Sequence, residues 1–218
     1  MNRKYLSMML YLILPSTFAQ GSDPLARLYE QTRDIQSLHA KMNLNVEGSA
    51  TETIEVWYDH LHSKLITSRL EMLSTQEALI MVNKDDRWIS YQAKENSSMP
   101  EAMKFYQLPF DSLMAMETST QRENTAQGQR VRMTLDHPVV SEMTLLFSTM
   151  GDLKQMEYLM NQPQSADQLR VVIEFMELQI NPKLSAALFE ITEYFQISEN
   201  NSPRPLTKYA NYQLMTLP

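Results

Sequence analysis

The stretch from Glu55 to Ala93 constrains the fold more than any other part of the chain. Around it, apolar and polar residues alternate over Thr53–Tyr58, Lys64–Met72, Glu77–Val82 and Arg87–Tyr91, the period of half-buried strands. Polar pieces separate them: Asp59-His60, Ser74-Thr75 and Asn83-Lys84-Asp85-Asp86. Connections this short cannot carry a crossover, so neighbouring strands must run antiparallel, as a meander. In the second strand Arg69 and Glu71 alternate with Leu70 and Met72, which predicts one wet face and one apolar face.

The first residues read differently. Arg3 and Lys4 precede an apolar run from Leu6 to Leu14, and Thr17-Phe18-Ala19 supplies small residues where a signal peptidase needs them. Residues 1–19 are therefore expected to be a secretory leader cleaved after Ala19, too short to span a bilayer. Residues 20–218 are expected to form one domain. Of 19 basic residues, the leader removes Arg3 and Lys4, leaving 17 against 26 acidic ones, a net charge of −9. That balance, with no basic cluster, argues against nucleic acid and anionic headgroups as partners. Cysteine is absent, which excludes disulfides and a lipid-modified cysteine after the leader. The expected destination is the periplasm, or secretion beyond it. Four glycines leave little for a backbone-lined phosphate loop; the 17 methionines, three of them in the leader, reflect either a compositional preference or an adaptable apolar surface.

Along the chain, Asp23-Pro24 with Leu25, Leu28, Ile35 and Leu38 predicts an amphipathic first helix. Ala40–Glu47 alternates as a strand and turns at Gly48-Ser49 into the meander. From Ser97 to Met116 the sequence is dense in apolar residues, and Pro109 divides it into two short helical pieces, a plug or a lid. Strands are then expected at Thr118–Thr125, Gln129–Leu135, Glu142–Thr149, Leu153–Asn161 and Leu169–Ile180, the last stopped by Asn181-Pro182. Pro203 and Pro205 predict a loop that leaves the final segment somewhat detached, so about 199–218 reads as an extension. The sum is a mainly β (α+β) fold, an incomplete and strongly curved antiparallel β-barrel wrapped around lid helices, with an apolar cavity.

Catalytic and metal chemistry find no support. His60 and His62 lack further ligands beside Asp59, so a solvated turn is the expectation and no metal is assigned. No G-x-S-x-G occurs, and Glu174 and Glu177, three apart in a strand, should point to opposite faces. Trp57 and Trp88 read as core or cavity wall, with a carbohydrate platform as the competing use. No enzyme activity and no cofactor are predicted.

Four elements carry a resemblance to the LolA-type periplasmic outer-membrane lipoprotein carriers. They are Val56-Trp57-Tyr58; Ser68-Arg69-Leu70-Glu71-Met72; Ala78-Leu79-Ile80-Met81-Val82 leading to Trp88-Ile89-Ser90-Tyr91; and Leu178-Gln179-Ile180-Asn181-Pro182-Lys183-Leu184 with Ala187-Leu188-Phe189. The last is the most specific. The family's Asp-Gly turn is replaced here by Lys84-Asp85-Asp86, and Asp59-His60 stands where some members carry a gating arginine. The resemblance implies a monomeric carrier whose cavity takes lipoprotein acyl chains from an inner-membrane ABC transporter and gives them to an outer-membrane receptor. The expected acyl wall is Leu70, Met72, Ile80, Val82, Met103, Phe110, Leu113, Met114, Met133 and Phe147. Alternatives are a lipid-sensing module of the same fold, a carrier for one specialised lipid intermediate, or a hydrolase or sugar-binding protein.

Overall fold

The computed structural model describes residues 23–32, 35–93, 116–161, 167–197 and 203–215. The expected leader and the 97–115 stretch predicted to hold the lid helices lie outside them. The one described α-helix, α1 (Pro24–Thr32), begins where Asp23 Oδ1 accepts from the Leu25 amide at 3.2 Å. Leu28 lies one turn from Leu25, and both are buried. Ile35 and Leu38 do not continue it. Leu38 belongs instead to the first strand, where alternation with Ala40, Met42 and Leu44 buries all four.

That strand, β1 (Ser37–Val46), opens a meander of β2 (Glu52–Asp59), β3 (Ser63–Ile66), β4 (Leu70–Ser74), β5 (Ala78–Asn83) and β6 (Trp88–Ala93). A second meander follows in β7 (Glu117–Thr125), β8 (Gly128–Leu135), β9 (Val140–Ser148), β10 (Leu153–Asn161) and β11 (Gln168–Ile180). Antiparallel pairing of β1 with β11 fuses the two, and the short strand β14 (Gln213–Met215) completes a 12-stranded, open, curved sheet of order β14-β6-β5-β4-β3-β2-β1-β11-β10-β9-β8-β7. Strand β14 lies parallel to β6. Strands β6 and β7, consecutive in the chain, are far apart in this order: β7 forms one edge of the sheet, and β6 lies beside β14 at the other.

The predicted strand Lys64–Met72 is in fact a hairpin. Thr67 turns it: its amide donates to Leu70 O at 2.8 Å, and its hydroxyl accepts from the amides of Arg69 (3.1 Å) and Leu70 (3.0 Å). Glu71 consequently does not lie on a wet face. Its side chain is only 16% exposed and pairs with Lys64 at 3.6 Å.

The tail departs further from expectation, since it packs on the sheet rather than standing off. Leu206 N–H donates to Tyr194 O at 2.9 Å, and β12 (Phe195–Ile197) pairs with β13 (Pro203–Pro205). Pairing alternates along an antiparallel ribbon, so both prolines fall where no amide is required. Phe189, Tyr194, Phe195 and Tyr209 close over Leu73, Ile80, Val82 and Ile89.

Candidate functional site

The sheet has two apolar faces, and strand register decides which residues share each. The inner face carries α1. There Leu25 and Leu28 belong to one cluster with Met42, Val56, Met133, Leu145, Phe147 and Met156, and Leu65 packs against it. The ladder Leu65↔Met72↔Met81↔Ser90 extends the same face across β3, β4, β5 and β6. Leu70 lies two residues from Met72 and so faces the same way. Met133 pairs with Met143, and Gln129 with Phe147, on the far half of the same face.

Of the expected acyl wall, therefore, Leu70, Met72, Met133 and Phe147 share the inner face. Ile80 and Val82 do not. Ile80 pairs with Leu73 and Val82 with Glu71, which turns both to the outer face beneath the tail. Met103, Phe110, Leu113 and Met114 lie outside the described residues.

The structure adds inner-face residues that the sequence did not single out. Met42, Met143, Met156 and Met160 join Met72 and Met133, making six buried methionines on this one face. Methionine at the apolar phase of each strand was a readable signal, because each occupies the position that alternation reserves for the core. Four polar side chains also lie buried here: Ser63, Ser74, Ser90 and Gln92. Burial pushes the Tyr158 hydroxyl well above its ordinary value, and its oxygen lies 4.0 Å from Met156 Sδ.

The other residues weighed for chemistry are engaged structurally. Asp59 Oδ1 accepts from the amides of Leu61 (2.7 Å) and His62 (2.8 Å), and His62 Nδ1 lies 3.1 Å away. The His62 ring stacks on Phe189 at 5.3 Å. Among the described residues no group of three or more His, Cys, Asp or Glu is placed to hold a metal ion. Trp57 stacks on His39 at 5.2 Å with planes 9° apart, so its ring face is already covered. Trp88 pairs with Asn83 at the β5–β6 turn. Glu174 and Glu177 do not point to opposite faces: a bulge opposite Lys41 and Met42 lets Glu177 pair with Lys41 and Glu174 with Asn43, both on the outer surface.

No protein-family model matches the chain, and no curated protein matches it. Solved structures do resemble it. An uncharacterized conserved protein from Thermus thermophilus is similar at 6% identity and a TM-score of 0.48, over 89% of this chain and 97% of that one. The MucA/MucB complex of Pseudomonas aeruginosa is similar at 13% identity and a TM-score of 0.43, over 85% of this chain but only 62% of that one. A LolA superfamily protein from Nitrosomonas europaea is similar at 7% identity and a TM-score of 0.33, over 74% of this chain and 92% of that one.

Proposed function

We propose that the protein is a periplasmic carrier that shelters the acyl chains of lipoproteins against the inner face of its sheet. It would receive them at the inner membrane from an ABC transporter and deliver them to an outer-membrane receptor, with no chemical turnover. The observation that carries this reading is the set of six buried methionines on one face of an open sheet. Unbranched thioethers re-pack around chains of different shape more easily than branched side chains do. Each methylene removed from water contributes about 0.8 kcal/mol, so a long acyl chain brings ample driving force and a compliant wall keeps release possible. The four motifs quoted above for the carrier family point the same way.

The test is displacement of an environment-sensitive fluorescent fatty acyl probe from the purified protein by a diacylated lipopeptide. Saturable binding and displacement are expected, with Leu70→Glu weakening both. A folded protein that binds neither probe nor lipopeptide would overturn the reading.

A further inference from the structure

On the inner face, two hydroxyls stand out against their surroundings. Ser63 is 4% exposed and Ser90 0% exposed, and neither Oγ has a hydrogen-bond partner among the described residues. Ser90 ends the cross-strand row Leu65↔Met72↔Met81↔Ser90, and Ser63 lies two residues before Leu65 on the same side of β3. Ser90 thus lies beside Met81, and Ser63 lies between Tyr58 and Ser74 in the neighbouring cross-strand row, both on the face read above as the acyl wall. Alanine would fill either position equally well, and a buried hydroxyl without a partner costs the fold stability. A hydroxyl kept in such a place is explained if a bound molecule supplies the missing acceptor.

We infer that Ser63 and Ser90 form hydrogen-bonding stations for the carbonyl oxygens of an ester- or amide-linked acyl ligand. The inference rests on the carrier reading and narrows it: the cargo is recognised at its acyl linkages as well as by its hydrocarbon. Three strand spacings of about 4.8 Å separate β3 from β6, so the two hydroxyls serve separate acceptors. A molecule with several acyl linkages can engage both, and a single fatty acid cannot. In each case the serine O–H donates and the carbonyl oxygen accepts. No bond is made or broken.

Removing the carbonyl while keeping the chain isolates this contribution. The probes are a dipalmitoylglyceryl-cysteine lipopeptide, its di-O-hexadecyl ether analogue, and dipalmitoyl phosphatidylglycerol with its ether counterpart. Wild-type protein should bind the ester form about three- to tenfold more tightly than the ether for each hydroxyl engaged. Ser63→Ala and Ser90→Ala should each reduce that preference and leave ether affinity unchanged. Because each variant removes an unpartnered buried group, its ligand-free melting temperature should hold or rise, which separates lost recognition from lost folding. Preference for ester in the lipopeptide pair, or only in the phospholipid pair, upholds the stations and tells which molecule supplies the carbonyls. Equal affinity for ester and ether in the wild type overturns the stations while leaving the carrier reading intact. Failure to bind either ether or ester overturns the carrier reading and the stations together.

Discussion

The Tyr194 hydroxyl donates a hydrogen bond to Oε1 of Glu71, joining the tail to strand β4 across 123 residues of sequence. Glu71 is also paired with Lys64, and Lys64 and Lys208 lie 5.5 and 5.6 Å from the centre of the Tyr194 ring. This cluster fixes the tail over the outer face, and the first prediction concerns its strength. Tyr194→Phe keeps the ring and deletes a bond to a carboxylate, so it should cost about 1.5–3 kcal/mol in urea unfolding. A loss within about 0.5 kcal/mol would mean that the tail is held by apolar packing alone.

The same cluster sets an alkaline limit. Burial, then the Glu71 hydrogen bond, drives the Tyr194 hydroxyl far above the ordinary 10.0, and burial raises Tyr209 as well. Unfolded tyrosines ionise first, so the unfolded state holds fewer protons above about pH 10 and stability falls as pH rises. The contribution is fully present below that pH. Stability measured from pH 8 to 11.5 should drop for the wild type and drop less for the double variant Tyr194→Phe, Tyr209→Phe.

Asp59 sets an acid limit. Burial raises its carboxyl, but the bond from His62 and the amides of Leu61 and His62 outweigh burial and hold it below 3.8. A depressed carboxyl stabilises the fold above its unfolded value and loses that contribution as pH falls through the folded one. Asp59→Asn should therefore flatten the stability profile below about pH 4, read by acid titration of the unfolding midpoint.

Two glycines should respond differently to alanine. A Cβ on Gly128 would lie 1.9 Å from the Phe147 carbonyl oxygen, within the β8–β9 ladder, and the backbone there has φ +138. Gly48 has φ +79 with nothing within 4 Å of a Cβ. Gly48→Ala should cost about 1–2 kcal/mol from the left-handed backbone alone, and Gly128→Ala clearly more, because strand atoms must also move. Equal costs in denaturant unfolding would contradict this.

The division of the sheet into two faces makes a prediction of its own. Ile80 is fully buried under the tail, so Ile80→Ala should cost about 2–5 kcal/mol of stability while acyl-probe affinity stays the same. Leu70→Ala, on the half-buried inner face, should do the reverse. Loss of affinity in folded Ile80→Ala would place the ligand on the wrong side of the sheet.

That division also marks where sequence reading stops. Alternation gave the extent of β8 within one residue, because polar and apolar residues follow the pleat strictly there, and Gly151-Asp152 marked the β9–β10 turn. Alternation relates residues within a strand and leaves the phase between strands open. Leu70, Met72, Ile80 and Val82 are all even-numbered, yet Ser74 pairs with Leu79, and this odd sum turns the even residues of β5 to the opposite face. The Thr67 turn carried no Gly, Pro or Asn; a hydroxyl shaped it, so the hairpin read as one strand. In the tail, prolines that signalled a detached loop occupy ribbon positions needing no amide, and long-range contacts, the bond from Tyr194 to Glu71 and the packing of Phe195 on the outer face, show where that ribbon docks.

The most direct test of the carrier account is release from spheroplasts. Lipoproteins newly made in the inner membrane are labelled, purified protein lacking residues 1–19 is added, and the soluble fraction is resolved by native mass spectrometry. The account predicts a one-to-one complex of protein and acylated lipoprotein, lost with Leu70→Glu and retained with Tyr194→Phe. A folded wild-type protein that leaves every labelled lipoprotein in the membrane would contradict it.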